Sequence, residues 1–174
     1  MNSSCGCSCS CGGERDNETL KCPVCGKDAI AVTSVLVKNM LRPDKQGELA
    51  KDDEYFLCMD SGCPVSYFNK QGSSVFQAED IKVPLWYKKG AEKKIACYCN
   101  NVTFEQVREQ VIAGKKSWKE IVGAYRKKPI CKCNLLNPTG NCCTSVFYDV
   151  VNKALKETGK EPVSQEFIDK SGCC

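Results

Sequence analysis

The chain has no histidine at any of its 174 positions. Any metal site must therefore be built without imidazole, and the most common general base is missing. No phosphate loop of the form G-x4-G-K-[ST] occurs, and Gly12-Gly13 sits in a stretch with no periodicity to support a pocket. The expectation is a protein that is not an enzyme. No run approaches the ~18 apolar residues of a membrane span. Met1-Asn2-Ser3-Ser4 has no basic head and no apolar stretch behind it, so a cytoplasmic protein without a membrane span is expected.

What the chain has is sulfur. Its 16 cysteines fall as Cys5, Cys7, Cys9 and Cys11, then Cys22/Cys25, Cys58/Cys63, Cys97/Cys99, Cys131/Cys133, Cys142/Cys143 and Cys173/Cys174. Two cysteines one to four residues apart can turn both sulfurs to one ion, and two such pairs make a four-sulfur site. The rival explanation, a disulfide framework, requires an oxidising compartment and fits poorly with a cytoplasmic protein. The formal charge of +4 counts thiols as neutral. A zinc ion or an oxidised [2Fe–2S] unit on four thiolates each carries about −2, which would bring the loaded chain near neutrality. Lys88-Lys89, Lys93-Lys94, Lys115-Lys116 and Lys127-Lys128 accordingly read as solvated positions, and no nucleic-acid partner is expected.

The pattern along the chain predicts an α+β protein, a small zinc-bound α+β module followed by a small helical module that carries three cysteine pairs. Residues 1–20 read as a disordered cysteine-rich arm, 21–92 as the zinc module, 93–158 as the helical module and 159–174 as a tail ending in a cysteine pair. In the front module, residues 29–37 suggest a strand. A short helix starting near Val37 is stopped by Pro43. Tyr55-Phe56-Leu57-Cys58, Val65-Ser66-Tyr67-Phe68 and Ser74-Val75-Phe76-Gln77 read as three strands, the last two joined at Gly72. In the second module, Thr103-Phe104-Glu105-Gln106 and Ser117-Trp118-Lys119-Glu120 are capping boxes that open helices. Gly114 ends the first. Residues 143–156 carry apolar side chains at helical spacing, and a turn of helix is expected at residues 164–168 of the tail.

Lys21-Cys22-Pro23-Val24-Cys25-Gly26-Lys27 reads as a metal knuckle, with Pro23 fixing the backbone, Gly26 allowing the return and turn N–H groups facing the sulfurs. The other half of a closed tetrahedral zinc site is expected from Cys58 and Cys63, with Gly62 at the bend. Ordinary buried thiols are the plain alternative, and a thioredoxin-like C-x2-C would leave Cys58 and Cys63 unexplained.

Ala96-Cys97-Tyr98-Cys99-Asn100 opens the helical module and residues 133–143 close it. This half resembles the [2Fe–2S] domain of bacterioferritin-associated ferredoxins. The order CPxCG, YFLC-x4-C, VSYFN, CYCN and C-x3-NP-[ST]-G-x-CC resembles, over residues 20–158, the amino-terminal domain of CopZ-type copper chaperones. The resemblance implies one zinc and one [2Fe–2S] cluster, the latter on Cys97, Cys99, Cys133 and Cys143. Helix starts and loop amides near these residues suit an anionic cluster. Cys142 in place of Cys143, or Cys131 in place of Cys133, stays open.

In that family a heavy-metal-associated domain holding Cu(I) follows, and no room for one is expected after Lys156. The arm Cys5, Cys7, Cys9, Cys11 and the pair Cys173, Cys174 are instead candidates for capturing a soft ion such as Cu+, against the reading of incidental thiols. Two functions compete. One is a soft-metal, copper-handling protein whose cluster reduces Cu(II) to Cu(I) for a metal-transport ATPase. The other is a ferredoxin-like electron carrier serving a reductase or iron-storage partner. A weaker third is a metal sensor read through cluster occupancy.

Overall fold

The structure, a computed structural model, describes residues 19–50 and 53–172. The chain divides into two compact units. Among the described residues, the front unit comprises 19–50, 53–95 and 134–141; the rear unit comprises 96–133 and 142–172.

The front unit is built on one antiparallel sheet in the order β1-β2-β3-β4-β5. Its strands are β1 (Leu20–Lys21), β2 (Asp28–Val32), β3 (Tyr55–Cys58), β4 (Val65–Asn69) and β5 (Val75–Gln77). Gly72, at φ 72°, makes the β4–β5 turn, a left-handed backbone that glycine adopts without a Cβ penalty. Every residue of β3 and β4 is buried, because the two faces of the sheet carry different cores. Tyr55 and Leu57 point into a cluster with Leu36, Val37 and Met40 of α1 (Ser34–Met40). Their neighbours Phe56 and Cys58 point the other way, into a cluster with Cys22, Ala29 and Cys63.

A register shift between Val65 and Tyr67 puts these two residues, which strict alternation would place together, into opposite clusters. One core is thus hydrocarbon and the other ends in sulfur. The strand expected over residues 29–37 stops at Val32. There the Thr33 hydroxyl accepts the Leu36 N–H at 3.2 Å and starts α1, local capping overriding β-branched propensity.

The rear unit has a two-stranded ribbon, β6 (Ile95–Cys97) and β7 (Val102–Thr103), and a helical core. Its main helices are α2 (Phe104–Ile112), α3 (Trp118–Gly123) and α5 (Thr144–Glu157); the short α4 (Cys133–Leu136), between α3 and α5 in sequence, belongs to the rear unit only at Cys133. Both expected capping boxes are present, Thr103 with Gln106 and Ser117 with Glu120. Val107, Val111, Ile121, Val122, Phe147 and Val151 are fully buried, each contributing about 1.5–3 kcal/mol of apolar transfer.

Beyond residue 158 the chain packs instead of trailing. The helix α6 (Gln165–Ser171) starts at Ser164, and Tyr148 ties it down: its hydroxyl donates to the Ser171 carbonyl at 2.8 Å and accepts the Trp118 N–H at 3.0 Å. Among the described residues no helix is long and apolar enough to cross a membrane.

Candidate metal centres

The knuckle at Cys22 closes as its sequence predicts. The Cys22 N–H bonds the Lys27 carbonyl, the Gly26 N–H bonds the Cys22 carbonyl, both at 2.9 Å, and Gly26 takes φ 69°. The β3 end delivers Cys58, and the loop to β4 delivers Cys63. The sulfurs of Cys22, Cys25, Cys58 and Cys63 all lie within 4.8 Å of one another. Their shortest contacts cross between the two pairs, 3.9 Å for Cys22–Cys63 and 3.6 Å for Cys25–Cys58.

Three of these sulfurs receive the backbone N–H of the residue two positions on: Cys25 from Lys27, Cys58 from Asp60 and Cys63 from Val65. That N–H lowers the Cys25 thiol. Burial dominates at the other two, raising Cys63 and pushing Cys58 up to about 12. The metal-free pocket therefore keeps Cys58 and Cys63 protonated, and a cation that enters must displace those protons. An all-sulfur closed set suits zinc, with no position left for water or substrate.

Sequence reasoning missed Lys88. Placed among solvated lysines, it is only 7 % exposed, and its ammonium donates to the carbonyls of Asp60, Cys63 and Val65 at 2.8, 3.0 and 2.7 Å. Beside it, the Tyr87 hydroxyl donates to the Cys58 carbonyl at 3.1 Å.

The rear cysteines are arranged differently. Cys99 and Cys133 meet at 3.6 Å, and Cys97 has the Cys143 thiol at its side. Among the described residues, only the front cysteines gather three or more such ligand atoms within 4.8 Å. Two sulfur pairs that do not merge into one compact set would suit a binuclear group better than a single ion.

Cys97 is held down at about 7, first by Cys143, against the effect of burial, and further by the Asn100 side chain, the Asn100 N–H and the Trp118 indole. Asn100 is the organiser here. Its amide donates to the Cys97 sulfur at 3.3 Å and to the Ile130 carbonyl at 2.9 Å, while its oxygen accepts the Ile130 N–H at 3.0 Å. Asn101, at φ 52°, makes the turn that follows. The Lys132 N–H reaches the Cys99 sulfur at 3.3 Å. The Trp118 indole N–H is buried beside Cys97 without a well-formed hydrogen bond to it. These features fit an anionic iron–sulfur group.

Cys133 and Cys143 are buried, whereas Cys131 and Cys142 are half-exposed, the Cys142 sulfur lying 3.0 Å from the Thr144 hydroxyl. Between them, residues 134–141 belong to the front unit. Tyr67 donates to the Pro138 carbonyl at 2.6 Å, and a Cβ on Gly140 would press within 3.1 Å of Leu36. Cys5, Cys7, Cys9, Cys11, Cys173 and Cys174 lie outside the described residues.

Residues 19–82 match the family model of the CopZ zinc binding domain. The front module is similar to the CopZ zinc binding domain. Among solved structures, the X-ray structure of the Archaeoglobus fulgidus CopZ N-terminal domain is similar, with a TM-score of 0.59 and 28% identity. The match covers 83% of this chain and 100% of that one. No curated protein matches the chain. The CopZ-like front module supports metal handling; the site at its centre is the four-cysteine cluster.

Proposed function

We propose that this chain handles a soft metal, copper in the first instance, with a structural zinc on Cys22, Cys25, Cys58 and Cys63 and a [2Fe–2S] cluster on Cys97, Cys99, Cys133 and Cys143. The observation that carries the proposal is the contrast between one compact four-sulfur set and two separate sulfur pairs in the same chain. The first suits a single closed-shell ion and the second a binuclear group. When bound, the cluster supplies one electron at a time.

The chain's own residues do the rest. Asn100 fixes Cys97 relative to the segment at Ile130, the Lys132 N–H orients Cys99, and burial of Cys133 and Cys143 keeps water from the sulfurs. Cu(II) is the substrate: it gains one electron, the reduced protein loses one, and Cu(I) leaves in the state that thiolate acceptors prefer. In this reading the chain is a carrier and not an enzyme, acting in the cytoplasm.

The test is anaerobic purification with metal analysis, followed by oxidation of the reduced protein. About two irons, two sulfides and one zinc per chain are expected. Cu(II) is expected to restore the stronger visible absorption of the oxidised protein with one Cu(I) formed per chain. A normal metal content with no electron passed to Cu(II) would favour the ferredoxin-like reading instead. A colourless protein after reconstitution ends both.

A further inference from the structure

Lys88 presents a problem of charge. Its ammonium is buried, and all three of its donors are spent on neutral carbonyls. Among the described residues no carboxylate pairs with it. Carbonyl dipoles satisfy hydrogen bonds but add no net negative charge, and an ammonium away from water without a counter-charge is costly. The three carbonyls belong to Asp60, Cys63 and Val65, the segment that carries one of the four sulfurs and follows another. The ring of Tyr87, whose hydroxyl holds the Cys58 carbonyl, lies 5.4 Å away. The cation is therefore built into the backbone around the sulfurs. A zinc tetrathiolate there would carry a charge of about −2.

We propose that Lys88 is the internal counter-ion of the tetrathiolate zinc centre, and that its charge keeps the Cys58 and Cys63 sulfurs inert toward electrophiles and competing soft cations. The inference rests on the zinc reading above. It gives the front site a property the proposed function needs. A protein that handles copper must keep its structural zinc from being exchanged for the cargo, and a fixed positive charge beside the thiolates both weakens them as nucleophiles and repels a second cation. Lys27, which pairs with Asp60 at the surface, adds a more exposed positive charge on the Cys25 side.

The experiment uses the full chain as purified, with zinc content measured first. Lys88→Gln removes the charge and retains a donor for the carbonyls; Lys88→Met removes both. Zinc release is followed with a chromogenic chelator during treatment with iodoacetamide and, separately, with a Cu(I) complex. Cobalt-substituted protein reports the thiolate-to-metal charge-transfer band. Both variants are expected to release zinc about tenfold faster than the parent in both treatments, with the band moved to lower energy.

Folded, zinc-loaded Lys88→Gln with the parent's release rate and band position overturns the counter-ion role and leaves the zinc reading standing. A parent chain that holds no zinc overturns both. If the variants do not fold as purified, the readout becomes zinc add-back: recovery of near-ultraviolet circular dichroism only at raised zinc supports the proposal. No recovery at any zinc concentration assigns Lys88 to loop packing alone and overturns it.

Discussion

The two sulfur sites are made from the same side chain and differ in nearly everything else. In the front unit, four cysteines from a knuckle and a strand end collapse into one set within 4.8 Å, organised by turn N–H groups and a buried lysine. In the rear unit, Cys97 and Cys99 meet their counterparts across the helical core as two pairs, with side-chain amide and indole donors in place of a cation. Cysteine spacing selects which sulfurs can meet. The surrounding scaffold selects whether they gather into one compact set or stand as two pairs.

Removing one sulfur from each site is the severest way to break the comparison. Cys58→Ser is expected to take zinc from about one per chain to near zero and to destabilise the front unit strongly. Structural zinc binding is worth on the order of 10 kcal/mol, and for small metal domains it is folding energy. Zinc analysis with limited proteolysis reads this. Cys133→Ser is expected to abolish visible absorbance while zinc content stays near one. If either substitution removes both metals, the independence of the sites is lost.

A finer cut concerns the spare rear thiols. Because Cys133 and Cys143 are buried and Cys131 and Cys142 half-exposed, Cys142→Ala and Cys131→Ala should retain the visible spectrum that Cys143→Ala and Cys133→Ala lose. A colourless Cys142→Ala protein reassigns the ligand.

The metal-free units should also respond to pH with opposite signs. Cys58 stands at about 12, raised by burial from an ordinary value of 9.0, and Cys63 is raised too. Above pH 9 the unfolded chain loses these protons while the folded chain keeps them, so front-unit stability falls as pH climbs from about 9 toward 12. Cys25 is lowered and works against this, one thiol against two. Cys97, lowered to about 7, favours the folded rear unit above pH 9 and loses that contribution as pH drops through 7. Thermal melts of chelated, reduced protein at pH 6.5, 8 and 10 should show Tm moving in these directions for unit-specific probes. With zinc bound, the front unit should reverse and weaken in acid, where protons compete for the thiolates.

How much of this was legible follows the range of the interactions involved. The capping boxes at Thr103 and Ser117 are local chemistry, and the helices begin where those hydroxyls can serve backbone N–H groups. The strands Tyr55–Cys58 and Val65–Asn69 are short apolar runs bounded by turn residues, also local. The meeting of Cys22 and Cys25 with Cys58 and Cys63 was readable because thiol pairs have few other uses in such spacing.

Lys88 was not readable. Next to Lys89 it reads as solvated, and what buries it is carbonyls 23 to 28 residues away. Asn100 was visible only as part of a motif, since its clamp on Ile130 spans 30 residues. The Asn137-Pro138-Thr139-Gly140 turn sits between rear-unit cysteines in sequence, and nothing local indicates that Tyr67 will hold Pro138.

The smallest effects test whether the rear scaffold depends on its local signals or on its core. Tyr148→Phe leaves the Trp118 N–H and the Ser171 carbonyl without the phenol, an expected loss of about 1–3 kcal/mol for buried groups left unpaired. Thr103→Ala removes one capping acceptor, 3.2 Å from the Gln106 N–H, and should cost about 1 kcal/mol. Both are measured by urea unfolding of the metal-free chain. The order matters more than the values. Tyr148 joins α3, α5 and α6, whereas Thr103 serves α2 alone, so a Thr103→Ala loss larger than that of Tyr148→Phe would mean that the helix start beside the cysteines, and not the aromatic core, limits the stability of the rear unit.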